Sequence, residues 1–161
     1  MANDIEVQTG KDGSSKIEAP EFYLAALDRQ NRENMNTALR PHGLKVADWR
    51  ILSCLDSIRS LTVSDLAELT VVERSVASRL VDRMIERGFL RKEASAADRR
   101  YSEITLTEAG SEKLRQCDAA VDDLRAQLFA GMSEKDRENL LRLLKLLRKN
   151  VLAYQRHNIA V

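Results

Sequence analysis

The sequence predicts a mainly α-helical protein that carries one small β-hairpin. Apolar residues recur at the spacing of amphipathic helices through most of the chain. Residues 101–106 (YSEITL) instead alternate polar and apolar side chains, which is the pattern of a half-buried strand. Residues 89–92 (FLRK), a short distance upstream, also favour extended chain. These observations place one two-stranded hairpin between groups of helices.

The composition fits a single reduced, cytoplasmic domain with a helical extension. The chain has 161 residues, and its 26 Lys and Arg residues nearly balance its 25 Asp and Glu residues, which argues against a nonspecific nucleic-acid coat protein. No apolar run approaches the roughly 18 residues of a membrane span, and the N-terminus lacks the apolar core of a secretory signal. We therefore expect no membrane association.

The first part of the chain predicts a disordered tail and two helices. Residues 1–17 are polar and aperiodic, so we expect them to be disordered. Pro20 suits the first turn of a helix over residues 21–39, and the Pro-His-Gly sequence at 41–43 would end it. A second helix is predicted over residues 46–59. Its inward residues would be Trp49, Ile51, Leu52 and Leu55.

The middle of the chain predicts a helix-turn-helix followed by a hairpin. A short strand at 61–63 leads into a brief helix at 65–69, and a turn at 70–72 leads to a helix over 74–87. Gly88 occupies the usual position after the end of that helix. The predicted hairpin follows the second helix of this pair in the chain and would form a wing beside it.

Two long helices are predicted after the hairpin. The first begins at Thr107, a suitable N-cap, and runs to about residue 130. Ser133 opens the second, which is rich in leucine. Its apolar residues are Leu140, Leu141, Leu143, Leu144, Leu146, Leu147, Val151 and Leu152.

The helix over 74–87 has the two faces that DNA recognition needs. An apolar stripe recurs at helical spacing and consists of Val76, Leu80, Val81, Met84 and Ile85. The opposite face begins with small hydroxyls and continues with arginines, which suits insertion into a major groove. The residues expected to contact DNA from this face are Ser75, Ser78, Arg79 and Arg83. Ser64, at the start of the preceding helix, is expected to contact a phosphate. Taken alone, such a face is more often merely solvated.

The predicted hairpin tip strengthens the DNA interpretation. Between residues 71 and 101, eight basic residues stand against five acidic ones, a local charge of +3 in a chain of net charge +1. A cationic tip beside a helix-turn-helix can reach the adjacent minor groove, whose narrow form attracts arginine. We expect Arg99 and Arg100 to do so, with Asp98 orienting Arg100 by a charge-assisted hydrogen bond. The alternative is an ordinary charged turn.

Several short motifs follow one another through this region. They are DWRIL at 48–52, DLAE at 65–68, Ser75 with SRL at 78–80, RGFL at 87–90, DRR at 98–100 and LTEAG at 106–110. At this spacing the chain resembles the MarR family of bacterial winged helix-turn-helix transcriptional regulators. One departure is Val71, where many members have a glycine; we expect the turn there to take a shape without a positive φ.

The resemblance implies a homodimer in which the first and last helices of both subunits interlock. It divides the chain into the tail (1–17), an N-terminal dimerization helix (18–45), the winged helix-turn-helix domain (46–106) and C-terminal dimerization helices (107–161). The leucine density of the last helix supports dimerization independently, although a single-chain helical core could also absorb those residues. A twofold dimer predicts a pseudo-palindromic double-stranded operator with half-sites about one helical turn apart.

The predicted function is sequence-specific transcriptional regulation, by default repression, with release by a small effector. The resemblance places an effector pocket between the dimer helices and the winged lobe, and the residues expected to border it are Asn31, Met35, His42, Trp49 and Arg50. An aromatic wall with a guanidinium suits an aromatic carboxylate. The alternative is that Trp49 belongs to the core and Arg50 pairs with an acidic neighbour.

Other chemistry is less favoured by the sequence. The inward position of Cys54 predicts a buried thiol, and Cys117 is expected to be more exposed. Neither has the cationic surroundings that would lower the pKa of a thiol, so a redox-sensing regulator of the same fold is the less favoured alternative. The two histidines stand alone, which argues against a metal site, and no catalytic constellation or cofactor motif is present, so we expect no enzyme. A helical protein-interaction module without DNA binding is the other alternative.

Overall fold

The computed structural model describes residues 19–94 and 102–159, and it confirms a mainly helical chain with one antiparallel hairpin. The elements are α1 (Pro20–Leu39), α2 (Val46–Ser57), α3 (Val63–Thr70), α4 (Arg74–Glu86), β1 (Leu90–Ala94), β2 (Ser102–Leu106), α5 (Glu108–Leu128) and α6 (Glu134–Ile159). The predicted tail and the tip residues Asp98, Arg99 and Arg100 lie outside the described residues. The chain divides into two compact units, Met1–Asp122 and Asp123–Val161.

The core of the first unit is formed by one face of each element from α1 to α5. Its largest fully buried side chains are Leu39, Ile51, Leu52, Leu66, Thr70, Val81, Met84, Ile104 and Cys117. Helix α4 buries Ala77, Val81 and Met84, while the other residues of its predicted apolar stripe are half-buried at the edges. The helix therefore presents its remaining surface to solvent, as its amphipathic pattern predicts.

Helices α1 and α2 are separated by a tight turn. A 3-10 turn at Arg40–His42 follows α1, and Gly43 adopts a left-handed conformation with φ of 68°. The side-chain oxygen of Asn36 in α1 accepts a hydrogen bond of 2.9 Å from the Val46 amide, which satisfies one free N–H at the start of α2. This turn brings the end of α1 and the beginning of α2 into contact.

Helix α3 begins earlier than the sequence pattern indicates. Thr62 is its N-cap: the hydroxyl accepts from the Asp65 amide at 3.2 Å, and the Asp65 carboxylate accepts from the Thr62 amide at 2.9 Å. The predicted strand at 61–63 is therefore wrong for Val63, which already belongs to the helix. Leu61 alone pairs with the sheet, through reciprocal backbone hydrogen bonds to Ile104 of 3.2 and 2.8 Å.

The turn after α3 corrects a second prediction. Val71 ends the helix with φ of 57° and ψ of 52°, so the turn keeps the left-handed conformation that we expected a valine to avoid. Its amide is hydrogen-bonded to the carbonyls of Ala67 and Glu68, and its side chain is 81% exposed. The capping geometry thus prevails over the local preference of a β-branched residue.

The base of the hairpin is fastened to α4 and α5. Strands β1 and β2 pair from Leu90 with Leu106 to Ala94 with Ser102. The Thr107 hydroxyl donates to the Gly88 carbonyl at 2.6 Å and accepts from the Gly110 amide at 3.0 Å, which caps α5. A Cβ on Gly110 would lie 2.1 Å from the Phe89 carbonyl oxygen, so only glycine allows this close approach.

The second unit consists of the end of α5 and helix α6. Ser133 and Asp136 form a reciprocal cap at the start of α6, with the Ser133 hydroxyl donating to the Asp136 carboxylate at 2.6 Å. The predicted leucine-rich stretch is helical and exposed throughout in the single chain. Its exposed apolar residues are Leu140, Leu141, Leu143, Leu144, Leu146, Leu147, Val151 and Leu152. Within the described residues, no helix is both long enough and apolar enough to cross a membrane.

Candidate nucleic-acid interface

The outward face of α4 carries the serines and arginines that the sequence predicts. Ser75 and Arg79 are exposed, one turn apart in the first half of the helix, and Ser78 is half-buried at the edge of this face. The Arg79 Nε donates to the Ser75 carbonyl at 3.4 Å, so the guanidinium lies along the helix surface. Small hydroxyls beside an exposed guanidinium allow close approach to base edges and supply donors to them.

Arg83 follows Arg79 by one turn of α4, but its guanidinium is engaged with α2. Its guanidinium forms an ion pair with Asp48 of α2 and remains 43% exposed, whereas the Asp48 side chain is 3% exposed. Asp48 also accepts a hydrogen bond of 3.0 Å from the Lys45 amide at the start of α2. The Arg83–Asp48 ion pair therefore links α4 to α2, and only part of the Arg83 guanidinium is exposed to solvent.

A surface cavity of about 580 Å³ lies beside the beginning of α3. Its lining residues are Thr62, Val63, Ser64, Asp65, Arg74, Lys92 and Ser102. Arg74 and Lys92 outnumber Asp65, the acidic lining residue, whose carboxylate already accepts hydrogen bonds from Thr62. With the remaining backbone N–H groups at the start of α3, this excess of positive charge favours an anionic group. Ser64 is exposed at this cavity, where the sequence predicts a phosphate contact.

Arg74 and Lys92 are not among the residues that the sequence predicts for the interface. Arg74 opens α4 and Lys92 lies in the middle of β1, so folding of the hairpin is what brings them to one cavity. The sequence does contain a local excess of basic residues between 71 and 101. That excess indicates that the region is cationic, but it does not show which of its basic residues lie at the cavity.

The described part of the wing is its base. Arg91 donates from Nε to the Thr105 hydroxyl across the two strands at 2.8 Å and lies 3.3 Å from the Glu93 carboxylate. This cation is thus engaged within the hairpin. The three predicted tip residues, Asp98, Arg99 and Arg100, lie outside the described residues.

The residues predicted for an effector pocket line neither of two surface cavities of this chain. Met35 is buried, and Asn31, His42, Trp49 and Arg50 are half-buried. None of the five lines the cavity beside α3 or a second cavity, of about 510 Å³, between α1, α2 and α4. The second cavity is lined by Asn36, Arg40, Gly43, Leu44, Lys45, Asp48, Arg83 and Arg87.

The cysteines reverse the predicted order of exposure. Cys117 is fully buried and donates to the Lys113 carbonyl at 3.3 Å, whereas Cys54 is only half-buried. Burial raises the pKa of both thiols; nearby Arg50 partly opposes this for Cys54. A raised pKa leaves less thiolate at neutral pH, which lowers the reactivity of both cysteines. Among the residues that the structure describes, no group of His, Cys, Asp and Glu side chains is arranged to hold a metal ion.

Known proteins share this sequence pattern and this geometry. A model of the MarR family matches residues 42–100. The HTH-type transcriptional repressor IacR of Pseudomonas putida is 25% identical over 136 residues, which cover 84% of this chain and 81% of that protein.

Two solved structures have the same fold. A MarR family transcriptional regulator from Silicibacter pomeroyi aligns with a TM-score of 0.76 at 27% identity, over 83% of this chain and 89% of that one. BpsR of Bordetella bronchiseptica, whose DNA binding is regulated by 6-hydroxynicotinic acid, aligns with a TM-score of 0.74 at 18% identity, over 84% of this chain and 96% of that one. The helix-turn-helix, the hairpin and the motifs thus agree with the match of residues 42–100 to the MarR family, and over more than four fifths of its length the chain is similar to a transcriptional regulator of that family.

Proposed function

We propose that the protein is a homodimeric repressor that binds a pseudo-palindromic operator and is released by a small effector. The observation that carries this proposal is the outward face of α4, where Ser75 and Arg79 are exposed beside the cationic cavity at the start of α3. Side chains for base edges and groups for the phosphate backbone thus lie on neighbouring elements of one lobe.

Each part of this surface has a separate role in the proposed complex. The first half of α4 enters the major groove and places Ser75, Ser78 and Arg79 at base edges. The start of α3, with Ser64, Arg74 and Lys92, holds a backbone phosphate. Arg83 contacts a phosphate with the part of its guanidinium that Asp48 leaves free.

The wing completes the proposed contact with DNA. Arg99 and Arg100 reach the adjacent minor groove, and Asp98 orients Arg100. This part of the proposal rests on the sequence motif and on the position of the hairpin immediately after α4.

Homodimer formation is supported by the exposed apolar surface of the outer helices. Eight leucine and valine residues of α6 are exposed in the single chain, and Phe22, Tyr23, Leu24 and Leu27 are exposed on α1. Apolar surface of this extent is typical of a protein interface. In the proposed dimer, residues 18–45 and 107–161 supply the contacts between subunits and residues 46–106 bind DNA, in the cytoplasm.

The proposed effector is a small molecule, as 6-hydroxynicotinic acid is for BpsR. The residues bordering the expected crevice, Asn31, Met35, His42, Trp49 and Arg50, remain a prediction. Thiol-based control is less favoured, because burial raises the pKa of both Cys54 and Cys117.

A selection experiment tests DNA binding and finds the operator sequence in one step. The wild-type protein is used to select from a library of randomised duplexes, and we expect a pseudo-palindromic motif to be enriched. Fluorescence polarization with the selected duplex then compares wild type with Arg79→Ala. Loss of this guanidinium should cost about 1–3 kcal/mol of specific binding, because a base or phosphate contact is removed.

The matched control is Arg115→Ala, which removes an exposed arginine from α5 that pairs with Glu112. This variant should bind the selected duplex as the wild type does. Selection of no motif, or equal affinity of the Arg79 and Arg115 variants, would contradict the proposed reading of DNA by α4.

A further inference from the structure

The second cavity, between α1, α2 and α4, is strongly cationic. Four of its lining residues, Arg40, Lys45, Arg83 and Arg87, are positively charged, and Asp48 is the one acidic residue among the described lining residues, which gives them a net charge of +3. Arg83 and Arg87 come from the last turn of α4 and its C-terminal end, and Arg40 and Lys45 flank the turn between α1 and α2. The cavity thus lies at the opposite end of α4 from Ser75.

The carboxylate at this cavity is already engaged. Asp48 accepts from the Lys45 amide at 3.0 Å and is paired with Arg83. Arg87 uses one guanidinium nitrogen to donate to the Gly43 carbonyl at 3.1 Å and lies 4.7 Å from the centre of the Phe89 ring. Within the described residues, the side chains of Arg40 and Lys45 have no hydrogen-bond or ion-pair partner. Cationic donors therefore exceed acceptors at this cavity.

The lining determines the kind of ligand that fits. None of the described lining residues is aromatic, so a flat aromatic ligand would find no ring among them to stack on. Guanidinium and ammonium groups that converge on one space form strong, charge-assisted hydrogen bonds with phosphate or carboxylate oxygens. A volume of about 510 Å³ admits a compact anion with several oxygens.

We propose that this cavity binds a compact oxyanion, a phosphate or carboxylate group, through Arg40, Lys45 and Arg87 beside the Arg83–Asp48 ion pair. A bound anion offers Arg83 a second acceptor and so competes with Asp48 for its guanidinium. Because Arg83 belongs to α4, occupancy of the cavity is coupled to the placement of that helix. The effect on operator binding rests on the proposed function, whereas oxyanion binding itself does not.

The first experiment measures binding in the absence of DNA. Inorganic phosphate is titrated into the protein at constant ionic strength, and the amide resonances of Gly43 and Leu44 are followed by NMR. The test variant is Arg40→Gln with Lys45→Gln, and the matched control is Lys113→Gln with Arg115→Gln, which removes the same charges from α5. We expect saturable shifts in wild type and control, with binding about tenfold or more weaker in the test variant, because each hydrogen bond from a charged group contributes that much.

The second experiment identifies the source of the oxyanion. Affinity for the selected operator is measured at fixed ionic strength, with and without phosphate. If a free anion is the ligand, phosphate weakens operator binding by the wild type and the control but not by the test variant. If an operator phosphate is the ligand, the test variant binds the operator more weakly than the control even without added phosphate.

One combination of results would contradict the oxyanion site without affecting the proposed DNA-binding function. Phosphate shifts that do not saturate, or that are equal in the test and control variants, together with equal operator affinities of those variants, would exclude an oxyanion site in this cavity. Failure of all the proteins to bind DNA would instead contradict the proposed function and would leave the phosphate titration to decide the site.

Discussion

At the scale of single residues, Val71 combines an unfavourable backbone conformation with little compensating burial. Its φ of 57° and its 81% exposure mean that the β-branched side chain adds strain and few contacts. Replacing it by glycine should therefore stabilise the protein by about 1 kcal/mol, since a left-handed residue with a Cβ costs roughly 1–2 kcal/mol and glycine loses some chain entropy. Chemical denaturation measures the change.

The control for this prediction is Val72→Gly. Val72 is half-buried and is not among the described residues with positive φ, so glycine there should destabilise. Equal effects of the two substitutions would show that the backbone conformation of Val71 does not lower the free energy of unfolding.

Gly110 is the second residue whose identity follows from geometry. A Cβ there would meet the Phe89 carbonyl oxygen at 2.1 Å, and this oxygen belongs to the backbone, so it cannot move aside as a flexible side chain can. Gly110→Ala should destabilise by about 1–3 kcal/mol, in the range of overpacked cores, because α5 must move away from the hairpin base. Thermal unfolding beside Ser111→Ala, the next residue of the same helix, gives the comparison; a neutral Gly110→Ala would exclude this close contact in solution.

At the scale of elements, the capping of α3 predicts a dependence of stability on pH. Hydrogen bonds from the side chain and the backbone amide of Thr62 lower the pKa of Asp65. A carboxylate whose folded pKa is lowered stabilises the protein above its unfolded pKa, near 3.9, and this contribution is lost as the pH falls through the folded pKa.

Thr62→Ala removes the side-chain part of this cap and should destabilise by about 1 kcal/mol at neutral pH. The difference in unfolding free energy from the wild type should narrow as the pH falls below about 4, since the wild type then loses the charged acceptor. Urea unfolding at several pH values tests this. A difference that stays constant or grows on acidification would contradict the role of the Asp65 carboxylate.

The sequence predicts the elements of this molecule better than their contacts. Helical period and capping residues locate helices α1 to α6, and the alternation at 101–106 locates the hairpin, because these signals are local. The Asp48–Arg83 pair joins residues 35 positions apart, and the cavity with Arg74 and Lys92 exists only after the hairpin has folded. Both depend on tertiary packing, which a local pattern does not contain.

Cys117 and Val71 illustrate the difference between a signal that was missed and one that the sequence does not contain. Cys117 lies three residues after Leu114 and four before Val121, and all three are buried on one face of α5. That spacing is the ordinary signature of a helix core, so the burial of Cys117 is readable from sequence. The left-handed Val71 gives no such signal, because its own preference opposes the observed conformation.

At the scale of the whole molecule, the exposed leucines of α6 predict that the single chain is not the functional state. Leu144 lies in the stripe formed with Leu140, Leu147 and Val151, and it is 39% exposed. If a second chain covers it, Leu144→Glu should weaken the dimer by about 3 kcal/mol or more, because each dimer carries the change twice and a buried leucine contributes roughly 1.5–3 kcal/mol.

Light scattering coupled to size exclusion measures this change across a range of concentrations. Arg142→Glu is the control, since helical geometry puts residue 142 on the face opposite the leucine stripe. We expect a dimer for the wild type and this control, and a monomer for Leu144→Glu. A monomeric wild type would remove the basis for a twofold operator.

The pairing of Leu61 with Ile104 has a consequence for the order in which the lobe folds. Ile104 is fully buried, and its two backbone bonds to Leu61 join segments 43 positions apart in the chain. Helices form quickly from neighbouring residues, but this pairing needs closure of a long loop, which slows folding. The helix-turn-helix therefore completes its core only after the hairpin has folded back, so a nascent chain that ends before β2 lacks a finished DNA-binding lobe.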